Sequence, residues 1–184
     1  MLAYSGIAQM GYVAIGLATF DGAAFEGILV FLAGYLATNI AAFLAVAALS
    51  NGETEPHPLA DLAGMGRQRP FAASVLTLAM LSLTGLPPTV GFIGKLLVFR
   101  AAIDAGLMTL ALVGIFGSLV SAGYYLRVVY TLWMKEPSRE VATPEEDVLS
   151  GAAYILVTAA MLVLGVLPRP LLDLARAAIQ SLPH

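Results

Sequence analysis

The stretch LSLTGLPPTVGFIGKLLVF, Leu81 to Phe99, breaks a long apolar segment and places a lysine inside it. Pro87 and Pro88 each lack a backbone N–H and clash with the carbonyl four residues earlier, so a regular helix is interrupted there. Gly85 loosens the chain just before them, and Lys95 follows between glycine and apolar residues. The pattern predicts a broken membrane helix with a charged group near the middle of the bilayer.

The composition agrees with a membrane location. Of the 184 residues, 59% are hydrophobic and 11% are charged, whereas soluble domains carry about 25% charged residues. The mean hydropathy is +0.87, and apolar runs of about 20 residues, enough to cross a roughly 30 Å hydrocarbon core, recur along the chain. These runs lack the alternation typical of a transmembrane barrel. We therefore predict an all-α integral membrane protein.

Five transmembrane helices are expected, the third of them broken at the glycine and proline interruption. They are helix A from about Leu2 to Phe20, B from Phe25 to Leu49, C from Phe71 to Asp104, D from Leu107 to Met134, and E from Leu149 to Leu167. Residues 1–184 form a single transmembrane domain on this interpretation, with a short amphipathic surface tail at 169–184.

Two polar connections, 51–70 and 135–148, share one side of the membrane if there are five spans. They hold slightly more Lys and Arg than the opposite side, so the positive-inside rule predicts that both are cytoplasmic. The C-terminus is then expected on the opposite side.

Several classes of site are excluded by the residue types. The chain has no cysteine, and its two histidines, His57 and His184, lie in a connection and at the last residue. No HExxH, GxSxG or nucleotide-binding loop occurs, so we expect this chain to bind no metal and no cofactor. The net charge of −3 argues against a nucleic-acid partner.

Lys95 is the residue that the sequence marks most strongly for chemistry. It lies nine residues before Asp104, where helix C is expected to reach the surface, which places it roughly 13 Å deep. A charge there costs about 2.5 to 3.5 kcal/mol, so the lysine should face a cavity or a partner, or be neutral. Burial disfavours the charged form, and an amine near neutrality can accept and release protons. We favour proton handling; a lysine paired with a buried acid, or extended to an interface, is the alternative.

Gly91 and Gly94 lie on the same helix as the lysine and are expected to leave room for water beside its amine. With Gly85, Pro87 and Pro88 they form the candidate helix break. Broken backbone at membrane depth is tolerated where it is buried in protein or lines a hydrated cavity, so the break itself favours an ion path over a simple proline kink.

Polar residues on two other helices are weaker candidates. Ser5, Gln9 and Tyr12 share one face of helix A and could line a water chain, although interhelical packing is the favoured interpretation. On helix D, Tyr124 and Arg127 share a face, and we favour anchoring of Arg127 in an aromatic belt over a role in conduction.

Four blocks of sequence carry a resemblance to a known family. In their order and spacing they resemble the C-terminal part of subunit N (ND2 in mitochondria) of the proton-pumping NADH:quinone oxidoreductases, respiratory complex I, one of the antiporter-like subunits. The blocks are LAYSGIAQMGYVAIGL (Leu2 to Leu17), LADLAGMGRQRPF (Leu59 to Phe71), LSLTGLPPTVGFIGKLLVF (Leu81 to Phe99) and YYLRVVYTLWMKEP (Tyr124 to Pro137).

The resemblance implies a fold and a function. The fold is a helix bundle with inverted repeats, each containing a broken helix, and Lys95 corresponds to the last lysine of a hydrated proton-carrying axis. The subunit has no redox centre, since NADH, FMN, the iron–sulfur clusters and quinone are bound by other subunits. It relays protons while quinone reduction elsewhere drives the change. The implied partners are the other membrane-arm subunits, and the implied location is a bacterial cytoplasmic membrane or an equivalent one.

Two departures from the family pattern affect this interpretation. Members usually continue upstream of Leu2 through most of a second half-protein, so we expect the chain to be a truncated, split or partial subunit. Many members have histidine where this chain has Gln9, and glutamine can orient water but cannot titrate. Two other functions remain open, an Mrp-type cation/proton antiporter subunit and a structural bundle that only anchors partners.

Overall fold

The computed structural model describes residues 1–50, 59–137 and 148–181, and helices dominate these ranges. The helices are α1 (Leu2–Leu17), α2 (Gly22–Leu49), α3 (Met65–Gln68), α4 (Pro70–Thr84), α5 (Val90–Asp104), α6 (Met108–Met134), α7 (Val148–Val166) and α8 (Arg169–Gln180), with a 3₁₀ turn at Leu59–Leu62. Within the described ranges there is no strand. The predicted all-α fold is therefore confirmed, and predicted helix C is two helices, α4 and α5.

The number of membrane spans is less definite than the fold class. Two of the described helices, α2 and α6, are each long and apolar enough to cross a membrane. Residues 151–166 of α7 and all of α8 meet the same criterion only together, and they are bent by 81° where they join. Helices α1 and α4 are apolar but shorter. Five spans therefore remain a prediction.

The centre of the bundle is α2, which packs against α1, α4, α5, α7 and α8. Three glycines permit the close approach of α2 and α5. A Cβ at Gly27 would lie 3.1 Å from Leu97 Cβ, one at Gly34 would lie 2.8 Å from Val90 Cγ2, and one at Gly94 would lie 2.6 Å from Phe31 Cα. Small residues at helix contacts are the usual means of close packing in membrane bundles.

The segment that leads into α4 is fixed to the end of α6. Gly64 has a left-handed φ of +69°, its N–H donates to the Thr131 carbonyl at 3.1 Å, and a Cβ there would overlap Pro137. The Trp133 indole N–H donates to Thr77 Oγ1 at 2.8 Å, and Arg69 donates to the Ala48 carbonyl in the last turn of α2. The end of the bundle nearest residues 59–70 is thus closed by specific polar contacts.

We expect Trp133→Phe to lower the free energy of unfolding by about 1 kcal/mol, since it removes one partly buried hydrogen bond and leaves the Thr77 hydroxyl without its donor. The measurement is denaturant unfolding of the detergent-solubilised protein. Thr77→Val breaks the same bond from the other side, so the double variant should be about as stable as Trp133→Phe alone. Losses that add would show that the two side chains act independently.

The C-terminal helix α8 lies at the end of the bundle where α2 begins. Arg176 Nε is 3.0 Å from Glu26 Oε1, a pair that joins α8 to the first turns of α2. The apolar residues of α8 that face the bundle include the buried Ala175, whereas Asp173 and Arg176 are exposed. The surface tail predicted at 169–184 is thus an amphipathic helix over most of its length, although its position relative to a membrane face remains a prediction.

Some of the sequence predictions concern other parts of the chain. Residues 51–58, 138–147 and 182–184, which include His57, Arg139 and His184, lie outside the described residues. The predicted cytoplasmic location of the connections 51–70 and 135–148 is not tested by the fold.

Candidate functional site

The helix break exposes backbone acceptors inside the bundle. Helix α4 ends at Thr84, and Gly85 follows with a left-handed φ of +87°. The last carbonyls of a helix have no N–H partner within the helix, because the helix ends before the residue that would supply it. Val90 begins α5 after a turn in which Thr89 Oγ1 donates to the Leu86 carbonyl at 2.6 Å. The carbonyls of Leu83 and Thr84 are therefore free for side-chain donors.

Lys95 donates hydrogen bonds to both of these carbonyls. Its side chain is 4% exposed, and Nζ donates to the Leu83 carbonyl at 2.7 Å, the Thr84 carbonyl at 3.3 Å and Ser118 Oγ at 3.1 Å. An ammonium has three N–H donors, so all three are used. Nζ also lies 4.9 Å from the centre of the Tyr12 ring, within the range of a cation–π contact.

Every direct partner of the Lys95 amine in the described part of the chain is electrically neutral. Lys95 is also the one buried charged side chain in that part. Ion pairs elsewhere in the described part include Arg100 with Asp104 and Arg176 with Glu26 and Asp173, which lie on the bundle surface or near it. The alternative of a lysine paired with a buried acid therefore has no partner among these residues.

Protein atoms fill the space beside two of the glycines near the lysine. A Cβ at Gly91 would overlap the Ser82 carbonyl, and one at Gly94 would overlap Phe31. The expectation that these glycines leave room for water beside the amine is thus wrong for the observed packing, because the close approach of α4 and α2 fills the space. Gly85 does face the amine, since a Cβ there would lie 3.1 Å from Lys95 Cδ.

The two prolines lie in the turn between the half-helices and are exposed. Gly165, near the end of α7, packs directly against the backbone of this turn at Pro88, Thr89 and Val90. The break is therefore held by α7 on one side and by α2 on another.

The polar face of α1 turns towards the site. Gln9 is 1% exposed, and its Nε2 donates to the Leu83 carbonyl at 3.5 Å and to Tyr125 Oη at 3.1 Å. Ser5 is buried and donates to the Leu2 carbonyl at 2.6 Å. With Tyr12 over the amine, all three candidates on α1 lie in the interior on the same side of the helix.

Helix α6 turns residues towards the site that the sequence does not mark as candidates. Of the two candidates there, Tyr124 is half-buried and Arg127 is exposed, and neither contacts Lys95 in the described structure. The residues that face the site are Ser118, Ser121 and Tyr125, of which Tyr125 is completely buried. Their spacing of three and four residues is the signal for a common helix face. The sequence marks neither Ser118 nor Tyr125 as a candidate for the site.

A groove of about 580 Å³ opens beside the amine. Its walls come from the break, α5 and α6 and are mostly apolar. Lys95, Ser118 and Arg100 are among the residues that line it. On the other side of the break, Ser82 and Thr38 form a buried hydroxyl pair at 2.9 Å. Among the described residues, no group of three or more His, Asp or Glu side chains is placed to hold a metal ion.

Comparison with known proteins is consistent with the resemblance in the sequence. The family described as NADH:quinone oxidoreductase/Mrp antiporter, TM, matches residues 1–121. The chain is 45% identical to NADH-quinone oxidoreductase subunit N of Geobacter metallireducens over 98% of its own length and 38% of that protein. It is 43% identical to subunit N of Geotalea uraniireducens over 95% of its length and 37% of that protein. It thus spans little more than a third of these curated relatives.

Solved structures share the fold. A chain of Thermus thermophilus respiratory complex I with bound NADH matches with a TM-score of 0.80 and 26% identity, over 100% of this chain and 39% of that one. A chain of the Mrp complex from a Dietzia species matches with a TM-score of 0.84 and 23% identity, over 98% and 42% respectively. The family match over 121 residues, together with these relatives, shows that the chain belongs to the NADH:quinone oxidoreductase/Mrp antiporter transmembrane family.

Proposed function

We propose that this chain is the lysine-bearing part of a proton-translocating membrane-arm subunit of an NADH:quinone oxidoreductase, and that Lys95 relays the proton. The observation that carries the proposal is a buried lysine at a helix break whose hydrogen-bond partners in the described part of the chain are all neutral. Curated relatives at 35–45% identity that are named NADH-quinone oxidoreductase subunit N support the assignment to this enzyme.

The number of hydrogen bonds that Lys95 can donate depends on whether its amine is protonated. The ammonium can satisfy the Leu83 and Thr84 carbonyls and Ser118 at once, with three N–H donors. A neutral amine has two N–H donors and one lone pair, so at least one of these bonds is lost when the proton leaves. Ser118 can then turn its own hydroxyl proton towards the amine, because a hydroxyl both donates and accepts.

The proton can be driven on and off by charge outside the site. Among the described residues, the ammonium is stabilised by dipoles and by the Tyr12 ring and not by a carboxylate. Two unit charges 4 Å apart interact by about 4 kcal/mol at an effective dielectric of 20. A positive charge brought near Lys95 therefore expels its proton, and withdrawal of that charge lets a proton return. Quinone reduction in another subunit would supply this change.

The remaining parts of the assignment follow from the same proposal. The chain carries no redox group, and NADH, FMN, the iron–sulfur clusters and quinone belong to other subunits. Ser5, Gln9 and Tyr12 form the polar wall next to the relay, and Tyr124 and Arg127 lie further from it. The chain lies in a bacterial cytoplasmic membrane beside other membrane-arm subunits.

The second candidate is a subunit of an Mrp-type cation/proton antiporter, which the fold shared with the Dietzia Mrp complex favours. A cation/proton antiporter of this type would exchange Na⁺ for H⁺ in response to an imposed pH gradient, without NADH. An oxidoreductase subunit would instead depend on electron transfer.

Inverted membrane vesicles that contain the assembled complex distinguish the two candidates. We expect NADH oxidation with quinone present to acidify the vesicle interior, with a rate that does not depend on Na⁺. A matched strain that lacks only the protein carrying this chain should lose this acidification. Exchange of Na⁺ for H⁺ without NADH, or unchanged NADH-driven acidification in the matched strain, would contradict the proposal.

A further inference from the structure

Gln9 and Tyr125 form a buried polar pair that the relay described above does not use. Gln9 is 1% exposed and Tyr125 is 0% exposed, and they come from different helices, α1 and α6. Their hydrogen bond, at 3.1 Å, lies in the apolar interior. Buried polar side chains are costly unless they are hydrogen-bonded, so such a pair must be well satisfied to persist.

The pair reaches Lys95 through one backbone atom. The Leu83 carbonyl accepts from Lys95 Nζ at 2.7 Å and from Gln9 Nε2 at 3.5 Å. A carbonyl oxygen has two lone pairs and can accept both donors. This carbonyl is available because α4 ends one residue later, at Thr84. The helix break therefore provides an acceptor that Lys95 and Gln9 share.

The orientation of the Gln9 amide depends on Tyr125. One N–H of the amide is directed at the Leu83 carbonyl and the other at the tyrosine oxygen. A phenol oxygen can accept one hydrogen bond while its own O–H donates another. The tyrosine can thus accept from Gln9 and donate elsewhere, which fixes the direction of the amide.

We propose that Tyr125, acting through Gln9, positions the Leu83 carbonyl and so sets how readily Lys95 releases its proton. The proposal rests on the proposed role of Lys95 as the proton relay. Two donors on one carbonyl compete for its electron density, so the Gln9 amide weakens the bond that the ammonium makes there. Without the pair, Leu83 accepts from Lys95 alone and holds the proton more tightly.

Tyr125 and Gln9 are positioning residues in this scheme, since neither touches the transferred proton. Lys95 alone binds and releases the proton. The Gln9–Tyr125 pair neither gains nor loses one, so it changes no charge during the relay step. If the Gln9 amide no longer donates to the Leu83 carbonyl, that carbonyl accepts from Lys95 alone. Removal of Gln9 or of the Tyr125 hydroxyl that orients it should therefore slow proton release to the same extent. This equivalence separates positioning from a general loss of packing.

The test uses NADH-driven proton pumping by the assembled complex in inverted vesicles. We expect Tyr125→Phe and Gln9→Leu each to lower the pumping rate about fivefold, the change in rate that corresponds to one hydrogen bond of about 1 kcal/mol. The double variant should pump no more slowly than either single variant. Gln9→His keeps a ring N–H for the carbonyl and a nitrogen for the tyrosine hydroxyl, and should restore most of the rate.

Tyr130→Phe is the matched control, because Tyr130 is on the same helix but half exposed. Its pumping rate should equal that of the unmodified complex. Two further readouts detect a merely structural effect: the amount of assembled complex, and NADH oxidation with an artificial acceptor that bypasses quinone. Both should stay unchanged in every variant.

Separate results identify which proposal has failed. If Lys95→Ala pumps normally, the relay proposal itself is wrong. If Lys95→Ala loses pumping but Tyr125→Phe or Gln9→Leu pumps normally, only the positioning role is overturned. Losses that add in the double variant, or that follow a fall in assembled complex, would overturn the positioning role as well.

Discussion

Replacement of Lys95 by alanine is expected to abolish the proton pumping that passes through this chain. The variant removes the one buried charged group among the described residues, and no neighbouring side chain at the break can take up a proton in its place, since Ser118 and Tyr12 are neutral hydroxyl-bearing residues. The measurement is the number of protons pumped per NADH in inverted vesicles. We expect this ratio to fall while NADH oxidation with an artificial acceptor continues.

Lys95→Arg separates the need for a charge from the need for titration. The guanidinium keeps the positive charge but stays protonated under all ordinary conditions. It should therefore support assembly as well as lysine does and still fail to pump. Normal pumping by the arginine variant would show that Lys95 does not have to release its proton.

Arg100→Gln is the control for these two variants. Arg100 lies on the same helix and also lines the groove, but its side chain is 77% exposed and close to Asp104. We expect pumping to be retained within a factor of about two, because an exposed ion pair contributes at most about 1 kcal/mol. An effect as large as that of Lys95→Ala would place the relay along the groove instead of at the buried amine.

Replacement of Gly91 by valine is expected to have the largest effect on stability. A Cβ at this position already overlaps the Ser82 carbonyl, and that atom belongs to helical backbone, which cannot rotate away as a side chain could. Overpacking typically costs 1–3 kcal/mol and more where the backbone must move, so we expect about 3 kcal/mol or more. The measurement is the amount of the protein in membranes, together with its unfolding in detergent.

Gly123 provides the matched control for Gly91. It is also a helical glycine, but a Cβ there would meet no atom within 4 Å. Gly123→Val should be close to the unmodified protein in stability, apart from the small difference in helix propensity. If Gly91→Val is equally stable, the close contact of α4 and α5 at the break is not a requirement of the fold.

Much of the fold was accessible from the sequence, because its strongest signals are local. The proline pair and Gly85 are sufficient to interrupt a helix wherever they occur, and the continuous apolar runs, which lack the alternation of a barrel, favour a helical bundle. The break and the burial of Lys95 are both found where the sequence places them. Span number was less accessible, since α1 has 16 residues and α4 and α5 have 15 each, too few to identify a crossing by length.

The details of the site depend on packing that the sequence does not encode locally. Helix α6 is apolar around much of its circumference, so the spacing of Ser118, Ser121 and Tyr125 shows that they share a face without showing that this face, and not the one with Tyr124, is buried. The role of a glycine is similarly ambiguous in the sequence. The missing side chain can allow a neighbouring helix to come close, or it can leave a cavity. Gly91 and Gly94 were assigned to open space, although α4 and α2 fill it.

The end of α4 at Thr84 has an electrostatic consequence for the lysine. The aligned peptide dipoles of a helix place the equivalent of about half a negative elementary charge at its C-terminus, and the Leu83 and Thr84 carbonyls that bind Nζ belong to that terminus. Helix α4 thus acts as a fractional counter-ion. A carboxylate in its place would carry a full charge and could itself take the proton from the lysine. Half a charge, fixed in the backbone, attracts an ammonium without being able to accept its proton, so a proton that leaves Lys95 cannot pass to the helix terminus that holds the amine.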